Sequence, residues 1–200
     1  MDLPEEPLKS LAARSVAYCL QRLSRASAGT WQVLDVKVSY GTFGDALARH
    51  DFKHDAVAVY MGLRGMSPLT AMMIFDPDDI SCVSKCYTGQ SFHKAGKLTP
   101  ADEMLLVELG NVVINSLINA LLNALKKSFM PTVPKFVEGG KDRLAGELLN
   151  AVGINTSFRI ITVMLGMSAA ECAAKSEIVA LIPEEMALEL ENLHPSPGRP

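Results

Sequence analysis

Apolar side chains recur along the chain at two spacings, one typical of helices and one of strands. Spacings of three and four positions predict helices over residues 7–25, 79–87, 99–128 and 183–193. Alternation or short apolar runs predict strands over 30–40, over two stretches within 51–79 that the turn "RGMS" joins, over 158–168 and over 176–182. Residues 129–157 fit neither pattern clearly.

The predicted order of helix, strand, strand, strand, helix occurs twice. In both halves a strand runs into a helix led by proline, at "MIFDPDD" and at "ALIPEE". Hairpin-like connections favour an antiparallel sheet, which is typical of the α+β class. We therefore predict one α+β domain over 1–193, made of two similar halves (5–98 and 99–193) with the sheet packed against long helices. Residues 194–200 form the predicted disordered tail.

The predicted helix from residue 99 has a clear start. Thr99 can cap it, Pro100 suits the first helical position, and Asp102 stands where the acid of a capping box belongs. The helix is predicted to end near Ser128, because "MPTVP" follows.

This helix contains "ELGNVVINSLINALLNAL" and carries an unusual line of carboxamides. Glu108, Asn111, Asn115 and Asn119 fall within an arc of about 80°, opposite the apolar face. Asn disfavours helices by about 0.6–0.7 kcal/mol relative to Ala, and the first hundred residues contain no Asn. Three interpretations stay open: a solvated face, an Asn ladder between packed helices, or an amide and a carboxylate that reach together into a partner.

The composition limits the classes of function. Apolar residues make up 48% of the chain, charged residues 20%, and the net charge is −3. This balance supports a sizeable core and argues against binding to nucleic acid or to an anionic membrane. No uninterrupted apolar run reaches about 18 residues and the start is acidic. We expect a soluble cytoplasmic protein without membrane insertion.

The four cysteines do not predict a framework of disulfides. Cys82 and Cys86 lie four apart with His93 nearby, but zinc sites usually have tighter pairs and four ligands. Cys82 and Cys86 are therefore interpreted as buried thiols on an amphipathic helix, and no metal site is predicted. Cys19 and Cys172 are the other two cysteines.

The segment around the carboxamides resembles the signature of the CheC/CheX/FliY phosphatases of chemotaxis. That signature has Asp or Ser, three residues, Glu, two residues, Asn, twenty-two residues and Pro. Glu108 and Asn111 match, and twenty-two residues separate Asn111 from Pro134. The paired strands "AVAVYMGLRGMSPLTAMMIF" also resemble those of the family. The resemblance extends over about residues 5–193 and implies a CheC-like fold.

Two features depart from the family pattern. Met104 occupies the position where the family has Asp or Ser. Two-site CheC proteins carry the signature on both long helices, whereas here no Asn precedes residue 111. The sequence therefore allows at most one catalytic site.

The resemblance implies hydrolysis of the aspartyl phosphate on a CheY-type response regulator in two-component signalling. Asn111 would orient the attacking water and Glu108 would pair with a lysine of the regulator. Asn115, Asn119 and Met104 are the expected partner-binding residues, and Pro134 is expected to be structural. The protein would need no cofactor of its own, because the regulator supplies Mg²⁺. The family contains dimers and monomers, so the sequence is compatible with a homodimer.

Two alternatives remain. A CheC-like domain without activity could dock a response regulator, a CheD-like protein or a component of the flagellar switch. An unrelated sensor could instead use the methionines of "AMMIF" to line a ligand pocket, although such methionines more often fill a core.

Overall fold

The computed structural model describes residues 6–50, 55–64, 69–91, 97–152 and 156–193, and the side chains of all of these except 149–152. The helices are α1 (Glu6–Ala26), α2 (Phe43–Arg49), α3 (Ile80–Thr88, preceded by a 3₁₀ turn at Pro77–Asp79), α4 (Pro100–Ala124), α5 (Lys141–Val152) and α6 (Glu184–Leu193). The strands are β1 (Thr30–Thr42), β2 (Ala56–Gly62), β3 (Thr70–Phe75), β4 (Lys135–Gly139), β5 (Ser157–Ala169) and β6 (Cys172–Pro183).

The strands form one sheet in the order β1-β5-β6-β3-β2-β4, and every neighbouring pair is antiparallel. The first strand of each half pairs with the second strand of the other half, as β1 does with β5 and β4 with β2. The third strands meet at the centre, where Met73 of β3 lies opposite Ile178 of β6. The two halves therefore share one sheet.

Helices cover both faces of the sheet. The larger core lies under α1, α3, α4 and α6 and takes Val57, Val59 and Met73 from the central strands. The smaller core lies under α2 and α5 and takes Met72 and Ile74. With both faces covered, all six residues of β3 are buried, which explains why this strand reads as an unbroken apolar run.

The predicted α+β class, with an antiparallel sheet packed against long helices, is confirmed. The structure adds three elements that the sequence pattern did not predict: α2, β4 and α5. The residues of the predicted turn after Arg64 and the predicted disordered tail lie outside the described residues.

The predicted end of the long helix is wrong by about four residues. Helix α4 ends at Ala124, with Leu125 as its cap. Lys126 then adopts a left-handed conformation with φ 53°, and the Lys127 amide donates to the Leu122 carbonyl at 2.9 Å. This backbone bond closes the last turn before "MPTVP" is reached.

The interpretation of Cys82 and Cys86 as buried thiols is wrong for Cys82. Cys82 and Cys172, which are 90 positions apart in sequence, form a disulfide. Cys19 and Cys86 are free and buried. The methionines of "AMMIF" lie in the two cores, Met72 on one face of the sheet and Met73 on the other. They fill core space, which removes the basis for a methionine-lined sensor pocket.

Candidate functional site on helix α4

The start of α4 is fixed by the predicted capping box. The Thr99 Oγ1 accepts a hydrogen bond from the Asp102 amide at 3.2 Å, and Asp102 Oδ2 accepts one from the Thr99 amide at 2.9 Å. Pro100 is the first helical residue. Such caps are worth about 1 kcal/mol, and here the cap residue Thr99 fixes the start of the helix twelve positions before Asn111.

A glycine brings the middle of α4 close to the sheet. A Cβ at Gly110 would lie 2.7 Å from Val59 Cγ1 of β2, a distance that no real methyl group adopts. Glycine in a helix costs about 1 kcal/mol relative to alanine, so this close approach explains its presence. It fixes the backbone next to Asn111 against a buried strand.

Helix α1 holds the flank of α4. The Cys19 Sγ lies 3.9 Å from the Val112 carbonyl, and the Ser116 Oγ donates to the Ser15 carbonyl at 3.2 Å. The two polar contacts flank the middle of α4, so the helix has support from α1 as well as from the sheet.

The remaining face of α4 carries the sequence-predicted side chains. Met104, Glu108 and Asn119 are exposed, Met104 to 74%, whereas Asn111 and Asn115 are half-buried. The Asn115 Nδ2 donates to Asn111 Oδ1 at 2.7 Å. This contact lies within one helix, so the line of amides is not a ladder between packed helices. It restricts the orientation of the Asn111 amide.

Tyr87, at the end of α3, is a neighbour of Glu108 that the sequence did not predict. Burial and, to a lesser extent, the Glu108 carboxylate raise the pKa of Tyr87 above its usual value. The Tyr87 ring meets Trp31 edge to face, with ring centroids 6.4 Å apart. Tyr87 and Glu108 are 21 positions apart in the sequence, and no local pattern indicates their electrostatic interaction.

Pro134 lies at the edge of the sheet, directly before β4. The preceding Thr132 is tied to β2, because its amide donates to the Gly62 carbonyl at 2.8 Å and its Oγ1 accepts from the Gly62 amide at 3.0 Å. A proline suits the entry to an edge strand, because it lacks an amide hydrogen.

Three surface cavities of the described residues lie away from Glu108 and Asn111. One is lined by β4 and α5, one by β1 and the end of α2, and one by β1 and the β5–β6 turn. None of these three cavities has Glu108 or Asn111 in its lining.

Among the described residues, α4 alone has the length and apolarity of a membrane-crossing helix. Its most apolar window is 56% buried inside the protein, which is typical of the core helix of a globular domain.

No protein-family model and no curated protein matches the sequence. Solved structures do match. FliY from Thermotoga maritima is 14% identical with a TM-score of 0.69, covering 96% of this chain and 98% of FliY. FliM in its complex with SpeE from H. pylori is 15% identical with a TM-score of 0.61, covering 96% and 97%. CheX from Vibrio vulnificus is 11% identical with a TM-score of 0.53, covering 87% and 97%.

These similarities extend over nearly the whole of each chain. The chain has the fold of the CheC/CheX/FliY-type chemotaxis proteins.

Proposed function

We propose that this protein stimulates hydrolysis of the aspartyl phosphate on a CheY-type response regulator. The observation that carries the proposal is the placement of Glu108 and Asn111. The two side chains lie one turn apart on the outward face of α4, with the backbone beneath them fixed by Gly110 against Val59.

Asn111 is the residue that orients the attacking water. Phosphoryl transfer depends on positioning and electrostatics more than on covalent help from the protein. A carboxamide can accept a hydrogen bond from water and donate another, and its neutrality avoids repulsion of the phosphoryl oxygens. The bond from Asn115 to Oδ1 supports this role, because it limits rotation of the amide before the partner arrives.

Glu108 anchors the regulator. Its exposed carboxylate is positioned for a lysine of the partner, and a charge-assisted hydrogen bond is worth about 1.5–3 kcal/mol once the pair is shielded from water. Tyr87 is close enough to this carboxylate to interact with it electrostatically, so the end of α3 borders the proposed docking surface.

The other predicted residues have supporting roles in this proposal. Met104 and Asn119 contact the partner at the rim, Asn115 orients Asn111, and Pro134 is structural. The regulator supplies Mg²⁺ and the phosphoryl group, so the reaction takes place in the cytoplasm, where such regulators act.

The test is a timed measurement of phosphate release from a phosphorylated CheY-type regulator with and without the protein. We expect release to accelerate in proportion to the amount of protein and the acceleration to disappear in Asn111→Ala. Unchanged release at protein concentrations that saturate binding of the regulator would exclude the phosphatase activity.

A non-catalytic docking module is the second candidate. It is favoured by the similarity to FliM, which was solved in complexes with FliG and with SpeE from H. pylori, and by the exposed Met104 in place of a polar residue. Under this alternative the protein binds a regulator, a switch component or a CheD-like protein without accelerating phosphate release. The same experiment, with binding measured in parallel, separates the two functions.

A further inference from the structure

Three cysteines from two distant parts of the chain lie close together between α3 and β6. None of the three has a role in the proposed function. Cys82 and Cys86 lie one turn apart on α3, and Cys172 is the first residue of β6. All three Sγ atoms lie within 4.8 Å of one another. His93, a neighbour in sequence, lies outside the described residues.

We propose that Cys82, Cys86 and Cys172 form a thiolate site for a soft metal ion of the zinc class once the Cys82–Cys172 disulfide is reduced. A tetrahedral zinc with Zn–S bonds of about 2.3 Å holds its sulfurs about 3.8 Å apart. The Cys82 and Cys86 sulfurs are 3.9 Å apart. Two ligands four positions apart on a helix point to the same side of it, an arrangement that zinc-binding helices use.

The third ligand needs only a small movement. Reduction separates two sulfurs from a bond of about 2.05 Å, and a shared zinc would hold them about 3.8 Å apart. A change of that size is within reach of side-chain rotation. Reduction of the disulfide takes two electrons and two protons from a dithiol reductant, and metal binding then releases protons from the thiols that become ligands.

The backbone around the three sulfurs is held in place. The Asp79 Oδ2 accepts a hydrogen bond from the Lys175 amide at 3.0 Å, which ties the start of α3 to β6. The Cys86 carbonyl accepts one from the Gly29 amide at 2.7 Å. A Cβ at Gly29 would lie 2.7 Å from the Cβ of Cys86. The two elements that carry the cysteines are therefore positioned by contacts that do not involve the sulfurs.

The three cysteines differ in their exposure to solvent, and the more exposed side of the cluster has room for a fourth metal ligand. Cys86 is fully buried and Cys82 is 8% exposed, whereas Cys172 is half-buried beside the β5–β6 turn. Zinc sites with three protein ligands keep an open position for water or another small ligand. That position lies on the Cys172 side of the cluster.

The test is titration of the fully reduced full-length protein with Co²⁺ and then Zn²⁺ under anaerobic conditions. Co²⁺ should produce thiolate charge-transfer and tetrahedral d–d absorption at one ion per chain, and Zn²⁺ should displace it. Oxidation to the disulfide should abolish uptake. Cys86→Ser retains the disulfide pair but should lose affinity by at least about tenfold, whereas Cys19→Ser, the matched buried thiol on α1, should bind like the parent.

Circular dichroism records folding at each stage. Unfolding on reduction followed by refolding on addition of Zn²⁺ would support the site, because metal binding and folding are then coupled. The proposal would be overturned if the reduced protein did not take up Co²⁺ or if Cys86→Ser bound Co²⁺ with the affinity of the parent. It would also be overturned if a protein that unfolds on reduction did not refold with Zn²⁺. None of these readouts depends on phosphatase activity.

Discussion

Helices α1 and α4 are the two long helices of the larger core, and they present different chemistry to solvent. They begin the two halves of the chain, and they contact each other through a Cys19–Val112 and a Ser15–Ser116 pair. Helix α1 exposes Arg14, Tyr18 and Arg22, while α4 exposes a carboxylate and carboxamides.

The two interhelical contacts give a residue-by-residue correspondence. Adding 97 to the number of an α1 residue gives the equivalent residue of α4. By this rule Ser15 is equivalent to Val112 and Cys19 to Ser116, so the Cys19–Val112 contact is equivalent to the Ser116–Ser15 contact. The same shift places Leu11 at the position of Glu108 and Arg14 at the position of Asn111. The α1 counterpart of the site therefore has an apolar residue and a cation where α4 has an acid and an amide.

The comparison shows that packing and chemistry are separable in this fold. The shift also carries Ala12 to Leu109, Val16 to Val113 and Leu20 to Leu117, and all six of these residues are buried. The inward faces of α1 and α4 thus remain alike, whereas the outward faces have nothing in common. Only α4 carries the proposed site, and the variants below test whether that difference accounts for activity.

Substitution of Asn111 should have the largest effect. Asn111→Ala should lower stimulated phosphate release by about tenfold to a thousandfold, or 1.4–4 kcal/mol of transition-state stabilisation, because the water loses its orienting amide. The measurement is the single-turnover rate at saturating protein. Arg14→Ala, at the corresponding position of α1, is the control and should retain the parental rate. Equal losses in the two variants would show that the two faces do not differ in the proposed way.

Substitution of Glu108 should affect binding more than turnover. Glu108→Ala should weaken association with the phosphorylated regulator by about tenfold to a hundredfold, because a charge-assisted contact of 1.5–3 kcal/mol is lost. Titration calorimetry or fluorescence anisotropy measures the change. Glu103→Ala removes the same charge from another side of α4 and should bind like the parent. A Glu108 variant of parental affinity would contradict the anchoring role.

Gly110 should be sensitive to the addition of a single methyl group. Gly110→Ala places a Cβ 2.7 Å from Val59 Cγ1, and overpacking of this kind costs about 1–3 kcal/mol, more than the helix propensity regained. Urea unfolding should show a net loss of stability of up to about 2 kcal/mol.

The α1 counterpart of Gly110 is Ala13, which is half-buried. Ala13→Gly should also destabilise the protein, by about 1 kcal/mol, because α1 already accommodates a methyl group and glycine disfavours the helix. A stabilised Gly110→Ala variant would mean that α4 does not lie as close to β2 as the structure places it.

Local chemistry made much of this fold predictable from sequence. The capping box of Thr99 and Asp102 and the proline at the first helical position predicted the start of α4 correctly. Helix α2 has the same kind of cap, since Thr42 and Asp45 bond reciprocally, but its seven residues are too few for apolar periodicity to become visible. A search for capping boxes alone would have found it.

The contacts that were not predicted join distant parts of the chain. Cys82 and Cys172 are 90 positions apart, and the β3–β6 pairing that brings them together is a tertiary event with no local signal. The electrostatic interaction between Tyr87 and Glu108 also joins residues that are distant in the sequence. The outward placement of Glu108 and Asn111, in contrast, followed from helical periodicity, although their roles remain proposals.

The smallest effect is expected at Asn115, whose donor bond to Asn111 Oδ1 measures 2.7 Å. Asn115→Ala should lower the rate of phosphate release by about twofold to tenfold at unchanged affinity for the regulator, because a neutral hydrogen bond contributes about 0.5–1.5 kcal/mol. Asn119→Ala is the matched control: it removes an exposed amide one turn further along the same face, at the rim of the proposed docking surface, and should leave the rate unchanged when the regulator is saturated with the protein. If Asn115 acts through Asn111, the double variant Asn111→Ala/Asn115→Ala should be no slower than Asn111→Ala alone. Additive losses would instead assign Asn115 a contact of its own with the partner, and the two half-buried amides would then act independently.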